Sequence, residues 1–486
     1  MNELCKLSGT EQARLVLERE VSPVELTEAV LDHIEGLDAK IQAFCTLDRE
    51  GALEQARRAE EAVTAGEALG PLHGVPVSVK DLISTAGLRT TYGSRVYADL
   101  VPEEDDIVVE RVRDAGGVII GKTNAPEFGY QAVCNSPLFG VTNNPWRLDT
   151  TTGGSSGGSG AAIATGMGAF TLGSDGGGSL RIPSSLCGIY TIKATFGRVP
   201  VYPSARDPEL PGGSSWETLD HVGPMTRTVA DSATLLSVIA GYDHRDRHAL
   251  PGGPFDYAAG LDSAGLDRGL TGRRIAWTPD WGWASVDPRV REITEKAVRV
   301  FEEELGCEVV EEHPDFKYTQ DDFWSLVAGD ADLAGLRELV AQRGHEMSDS
   351  VVELANTPWT AEDLTNAVKE RQRVTNKLWR FFERYDLFLT PTLAVPAFEH
   401  GILGPAEIDG NPVKANAWIA FTHPFNLTGQ PAASVPAGWT ADGLPVGLQI
   451  VGRRLDDALV LQASAAFERA RPWAQRWPAI VEEELV

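Results

Sequence analysis

Two glycine-serine runs, a dozen residues apart, set the tightest limit on what this chain can fold into. Thr150-Thr151-Thr152-Gly153-Gly154-Ser155-Ser156-Gly157-Gly158-Ser159-Gly160 leads into an alanine-rich helix ending near Gly166. Ala169-Phe170-Thr171-Leu172 then reads as a strand, and Gly173-Ser174-Asp175-Gly176-Gly177-Gly178-Ser179 follows it. A flexible linker is also rich in Gly and Ser. A linker does not bracket a short helix and a buried strand, however, so these runs read as packed loops in which glycine supplies angles other residues avoid.

The rest of the chain alternates helices with short apolar runs, which argues for an α/β fold with much parallel pairing. Ser22-Pro23-Val24-Glu25 is a capping box with proline at the first helical position, and Leu26, Val30, Ile34 and Leu37 mark one helix face. Glu50 to Ala65 reads as a second helix, Val75–Val79 as a strand ending at Lys80-Asp81, Asp106–Asp114 as a helix and Val118-Ile119-Ile120 as a buried strand. From about 205 to 270 turn residues dominate, with one helix near Val229–Gly241. Residues 287–385 are mostly helical and charged. Leu387–Leu389, Ala432–Pro436 and Pro445–Val451 read as strands, and Leu455–Ala470 as the closing helix.

Charge and cysteines remove several classes. The chain has 486 residues, with 43 basic and 70 acidic ones, a net charge of −27 that disfavours nucleic acid and anionic membrane as partners. Only ten of the basic residues are lysine. Cys5, Cys45, Cys134, Cys187 and Cys307 are an odd, scattered set without a CxxC pair, which fits reduced thiols. The opening MNELCKLSGTEQARLVLERE lacks the basic and apolar segments of a signal peptide. Together these give the expectation of a cytoplasmic protein with no membrane span.

Two motifs match formally and fail on context. Gly116–Thr123 satisfies GxxxxGK[ST], but its middle is Val-Ile-Ile, a strand by composition, and Pro126 disfavours an immediate helix. Gly153–Gly157 satisfies GxSxG, whose nucleophile elbow needs a strand directly before it; Arg147–Thr152 reads as a poor one. Of nine histidines, His221 and His423 are the best placed for a Ser-His-Asp esterase, neither in a distinctive setting. No HExxH or clustered His/Asp pattern calls for a metal.

What survives is a lysine and two serines in unusual backbone settings. Gly153–Ser159, Gly173–Pro183, Leu186-Cys187-Gly188 and Lys193–Arg198 together resemble the amidase signature family. Upstream, Gly74–Asp81, Gly121–Phe128 and Asn144-Pro145-Trp146 fall in that family's order, as do Pro424–Ala432 and Gly447–Gly452 near the end. The resemblance implies one domain over 1–486, a central mixed, twisted β-sheet covered by helices on both faces. Its core signature region is about 70–200, and a variable, mostly helical pocket section about 287–385.

It also implies roles. Ser179 becomes the nucleophile, Ser155 a bridging serine behind a cis peptide bond, and Lys80 the base. Serine is a weak nucleophile until a neighbour takes its proton. A free lysine is neutral in roughly one molecule in 2,500 at pH 7, a cost of about 4.6 kcal/mol that burial can reduce. Gly176, Gly177 and Gly178 would turn successive N–H groups toward a tetrahedral oxyanion. Asp175, Arg181 and Ser156 become structural support for that loop, the competing reading of Asp175 and Arg181 being substrate contact. Gly153, Gly154 and Gln131 are candidate substrate contacts. Position 176 commonly carries a side chain in the family and is glycine here, which puts the loop's rigidity in question.

No cofactor and no metal are implied. Every tryptophan except Trp146 lies beyond position 200, and Phe323-Trp324, Trp359 and Trp379 tilt the expected substrate toward apolar or aromatic amides, including anilides, cyclic amides and carbamates or urethanes. Carbamate hydrolysis would use the same triad. A glutamine amidotransferase component supplying ammonia to a transamidation complex is the alternative within the family, and the Ser-His-Asp esterase the alternative outside it. The protein is expected to act on a small molecule as a monomer or homodimer.

Overall fold

Alternation along the short apolar runs decides how the sheet is clothed. In Val118–Thr123, Ile119 joins one hydrophobic cluster while Val118 and Ile120 join another on the opposite face. Leu387 and Leu389 are likewise separated from Phe388. Period-two sorting of this kind is what a sheet covered on both faces requires. The computed structural model describes residues 1–204, 210–213, 216–261, 269–315 and 320–482. The turn-rich stretch read from about 205 to 270 therefore falls partly outside the described residues.

Eleven strands form one sheet. In chain order they are β1 (Phe44–Leu47), β2 (Pro76–Lys80), β3 (Val118–Thr123), β4 (Phe170–Ser174), β5 (Tyr190–Lys193), β6 (Val222–Thr226), β7 (Arg274–Trp277), β8 (Glu308–Glu311), β9 (Leu387–Pro391), β10 (Ala432–Trp439) and β11 (Pro445–Gly452). Their spatial order is β1-β3-β2-β4-β6-β5-β10-β11-β9-β7-β8. Parallel pairs lie toward the two sides, β3-β2-β4 and β9-β7-β8. The centre, from β4 through β9, is antiparallel. The expected parallel pairing thus holds within each flank except at edge strand β1, which pairs antiparallel with β3, and the sheet as a whole is mixed.

The helices read from sequence form with the caps they advertised. Ser22 accepts from the N–H groups of Val24 and Glu25 at the start of Pro23–Ile41, and Leu26, Val30, Ile34 and Leu37 are buried. Arg49–Ala65, Ile107–Asp114, Val229–Ile239 and Asp457–Ala470 follow. Residues 287–385 are mostly helical, as read, but enclose edge strand β8. Arg147–Thr151, read as a poor strand, is a strand after all. It pairs antiparallel with Asn143–Asn144 in a separate two-stranded sheet. Lying outside the main sheet, it does not make Gly153–Gly157 the strand-to-helix elbow that GxSxG would need. Among the described residues no helix is long and apolar enough to cross a membrane.

Candidate active site

Strand register brings the lysine to the first serine run. In β2 and β4, Val77, Ser78 and Val79 lie opposite Phe170, Thr171 and Leu172 in parallel, so Lys80 emerges where β4 ends. The carboxyl ends of parallel strands are where α/β sheets open to ligands. Lys80 is fully buried, and its Nζ lies 2.6 Å from Ser155 Oγ, 2.9 Å from Ser174 Oγ and 3.3 Å from the Ser174 carbonyl. The Gly154–Ser155 peptide bond is cis. Burial lowers the Lys80 ammonium to about 8, against the opposing charges of Asp220 and Asp175 and the Cys134 thiol. A lysine of pKa near 8 is neutral in about one molecule in ten at pH 7, against one in thousands for an exposed one.

The second run wraps around Asp175. Its Oδ1 accepts from Gly178 N–H (2.6 Å) and its Oδ2 from Leu180 N–H (3.2 Å). Arg181 grips the same carboxylate through Nε (2.9 Å) and Nη2 (3.0 Å). Burial pushes the Asp175 carboxyl up, but the guanidinium of Arg181, Lys193 and the Asn426 amide outweigh it and hold the group well below the usual carboxylate range. The remaining Arg181 donors go to the Thr422 carbonyl, Gln449 Oε1 and Asn426 Oδ1. All five guanidinium N–H groups are engaged, so none is left for a substrate. Arg181→Ala is therefore expected to destabilise the fold by about 3–5 kcal/mol, because it strands a buried carboxylate. Chemical denaturation reads this directly.

The expected oxyanion hole needs one correction. Gly178 donates its N–H to Asp175, so it is not available to an oxyanion. Its φ of 131° and the approach of Thr422, whose Oγ1 would lie 2.4 Å from an added Cβ, explain the glycine instead. The backbone N–H groups of Gly176, Gly177 and Ser179 have no hydrogen-bond partner among the described residues. Ser156 ties the two runs together, its Oγ donating to the Ser174 carbonyl (3.0 Å) and its N–H to the Ser179 carbonyl (3.3 Å).

Glycine at 176 also has a structural reason. A Cβ there would lie 2.5 Å from the Trp216 ring, and one at Gly177 would lie 2.8 Å from Phe323. Aromatic rings occupy the space that a side chain would take, so the loop is held by packing. Trp216 is itself fixed by an Nε1–H bond to the Phe128 carbonyl (3.0 Å).

Two cavities meet at Ser179, which is 9 % exposed against 3 % for Ser155 and 0 % for Lys80. The larger, about 630 Å³, is walled by Tyr130, Trp216, Phe323, Trp324 and Trp359, with Ile182 and His423 lining it as well, beside Gly177 and Ser179. Glu353 and Asp363 stand at its exposed side, and no described residue lining it is Lys or Arg. Gln131 lines it too, donating to Ser350 Oγ at 3.1 Å. Gly153 and Gly154 line neither cavity. They are packed beneath Ile182 and Val133, which removes them from direct substrate contact. Of the flagged tryptophans, Trp379 is an exposed surface residue, 46 % accessible.

The histidines and the second lysine motif have other work. His221 Nδ1 lies 2.7 Å from the Leu219 carbonyl, and its Nε2 faces Lys193 Nζ at 3.2 Å. Burial and the neighbouring Lys193 drive His221 well below its ordinary pKa. Burial takes His423 down to about 3. Lys122, in the P-loop look-alike, is inside β3 and donates to the Ile83 carbonyl and to Thr85 Oγ1 (2.8 Å). Among the described residues no group of three His, Cys, Asp or Glu side chains is arranged to hold a metal.

Sequence reasoning misses Ser174, Asp220, Trp216, Thr422, Asn426 and Gln449. The legible signal is strongest for Gln449, an amide in the otherwise apolar run Leu448-Gln449-Ile450-Val451. A buried amide at that position needs a partner, and here it accepts from Arg181.

A buried lysine against a cis serine, beside the serine of a glycine loop, is an arrangement suited to amide hydrolysis, and comparison with known proteins points the same way. The Amidase family profile matches residues 25–461, and the chain belongs to the amidase signature family. It is similar to an acylamidase of Rhodococcus erythropolis, 39% identical over 482 residues and covering 97% of each chain. A glutamyl-tRNA(Gln) amidotransferase subunit of Moorella thermoacetica is 37% identical over 505 residues, covering 98% of this chain and 99% of the relative. The crystal structure of a bacterial aryl acylamidase of the family superposes with a TM-score of 0.88 at 31% identity, covering 98% of both chains. The chain is thus a hydrolase acting on carbon–nitrogen bonds.

Proposed function

We propose that this amidase hydrolyses small amides bearing an apolar or aromatic group, through a Ser179 acyl-enzyme. Anilides, cyclic amides and carbamates are the candidate classes. The observation that carries the mechanism is the 2.6 Å contact of a fully buried Lys80 with Ser155, in a cavity wall shared with Ser179. Neutral Lys80 takes the Ser155 proton, Ser155 takes that of Ser179, and Ser179 Oγ attacks the carbonyl carbon. The N–H groups of Gly176, Gly177 and Ser179 receive the oxyanion; losing one such donor elsewhere typically costs about 3 kcal/mol in rate. Ser155 then returns a proton to the leaving nitrogen, and water releases the acid by the reverse relay. From a carbamate the same steps give an alcohol, an amine and carbon dioxide.

The cavity supports the substrate preference. Its volume suits a small molecule, its walls are aromatic, and Glu353 and Asp363 favour neutral or cationic substrates. The amidotransferase relatives favour a second reading, glutamine hydrolysis within a complex. Glutamine's α-carboxylate would find no described lysine or arginine in this cavity, which argues against it. The test is a panel of anilides, aliphatic amides, carbamates and glutamine offered to the purified chain. Turnover of an aromatic amide by the chain alone is the expected result, and glutamine-dependent ammonia release without it would reverse the assignment.

The protonation of Lys80 sets the pH dependence. The base form is the neutral one, so activity is lost as pH falls through the pKa. With Lys80 near 8, kcat/KM is expected to rise about tenfold per unit below that pH and to level above it. A profile flat from pH 6 to 9 would remove lysine from the role of base.

A further inference from the structure

The two cavities at Ser179 are not equivalent. The larger touches Gly177 and Ser179 but not Ser155, among the residues described. The smaller is bounded by Ser155, Ser174, Ser179, Gly176, Trp216 and Asp220. It holds about 20 Å³, room for one water-sized molecule. Antiparallel pairing of Val222 with Ser174 returns the chain to the end of β4, which is how Asp220 comes to face the site. Trp216, Gly129 and Ser179 stand in the walls of both cavities.

The chemistry assigns them different contents. In acyl transfer, two atoms must come within reach of Ser155 Oγ: the nitrogen that takes its proton on leaving, and the water oxygen that later gives one up. Microscopic reversibility puts both at one place. We propose that the small cavity is the subsite for the leaving nitrogen and the deacylating water, that it admits ammonia, water and amines about as small as methylamine, and that Asp220 positions them by accepting their N–H or O–H. This rests on the Ser179 acyl-enzyme reading above and deepens it. The acyl part of the substrate lies in the large aromatic cavity, which narrows the candidate classes above: amides and carbamates that release ammonia or a small amine are preferred, and anilides, which release an arylamine, rank last. On the forward step the C–N bond breaks, the C–O bond to Ser179 forms, and the nitrogen leaves with the Ser155 proton. On deacylation the water oxygen bonds to the acyl carbon, its proton passes to Ser155, and the Ser179 oxygen leaves and is reprotonated. Asp220 shares the electrostatic surroundings of Lys80 with Asp175 and Cys134, so its removal acts on the relay as well.

Acceptor competition on the full chain tests this without a variant. The acyl-enzyme is formed from methyl phenylacetate, whose leaving methanol is small, in the presence of hydroxylamine, methylamine or aniline at equal free-base concentration. Products are quantified by mass spectrometry. With each yield divided by that amine's uncatalysed aminolysis rate on the same acyl group, hydroxamate and N-methylamide are expected, and anilide about tenfold less or not at all, the ring having no space beside Ser155. Aniline intercepting as well as methylamine after that correction would overturn the subsite. Asp220→Asn is expected to lower the hydroxamate-to-acid ratio or to let the Ser179 acyl adduct accumulate in intact-mass spectra; an unchanged ratio with no accumulation would remove Asp220 from the role. A normal acyl adduct with unselective acceptors sinks the subsite alone. Absence of any Ser179 adduct, together with failure on the whole amide panel, sinks the acyl-enzyme reading and this one with it.

Discussion

Ser179→Ala is expected to abolish amide hydrolysis, a loss on the order of a millionfold as for other activated serines, with the thermal transition unchanged. The argument is local. Ser179 is the one member of the proposed triad that lines both cavities, and its loop is held by other atoms: Asp175 on Gly178 and Leu180, Arg181 on Asp175, and Ser156 on the Ser179 carbonyl. Deleting one hydroxyl oxygen leaves all of these in place. Hydrolysis rates on the best substrate of the panel, measured beside a melting curve, decide it. A variant that keeps near-full activity would place the nucleophile elsewhere.

Lys80→Met should cost about 10⁴-fold in kcat/KM at neutral pH, the upper range for a general base, and should erase the rise toward pH 8. Its effect on stability runs the other way. Lys80 holds its proton less tightly in the folded protein, near 8, than in the unfolded chain. The unfolded state therefore binds more protons between about pH 8 and 10.4, and stability rises with pH across that window. Below it the wild type carries the full penalty of a buried ammonium. The methionine variant, despite losing bonds to Ser155 and Ser174, is expected to melt no lower than wild type at pH 7, its relative advantage shrinking as pH is raised through 8. A variant that is both inactive and far less stable at pH 7 would show that Lys80 is there to hold the fold.

Local rules make much of this legible. Ser22 and Asp106 cap the helices their sequences announce, and the Val-Ile-Ile of the false P-loop is strand β3 because three β-branched residues in a row fit a two-sided buried sheet. The residues of the proposed triad stand out because each sits in a short, distinctive segment. What escapes depends on partners far away in sequence. Arg181 meets Thr422 and Gln449 across 241 and 268 residues, and no local pattern announces that. Gly178 misleads for the same reason, since a row of free N–H groups in the sequence says nothing of which one Asp175 will claim. Strand Arg147–Thr151 reads weakly because its one apolar residue, Leu148, is exposed and its buried residues are the polar Thr150 and Thr151, so no apolar alternation marks it.

The tryptophan lying on Gly176 has a consequence for how this enzyme could change over generations. A side chain at 176 would enter the indole of Trp216, so none can arrive there first. Shrinking Trp216 beforehand would remove a ring that lines both cavities before anything had refilled its space. Each single exchange passes through a damaged protein, and only the pair together restores the packing. Positions 176 and 216 therefore form a lock with two keys: a side chain at 176 fits only if the ring at 216 is reduced in the same step.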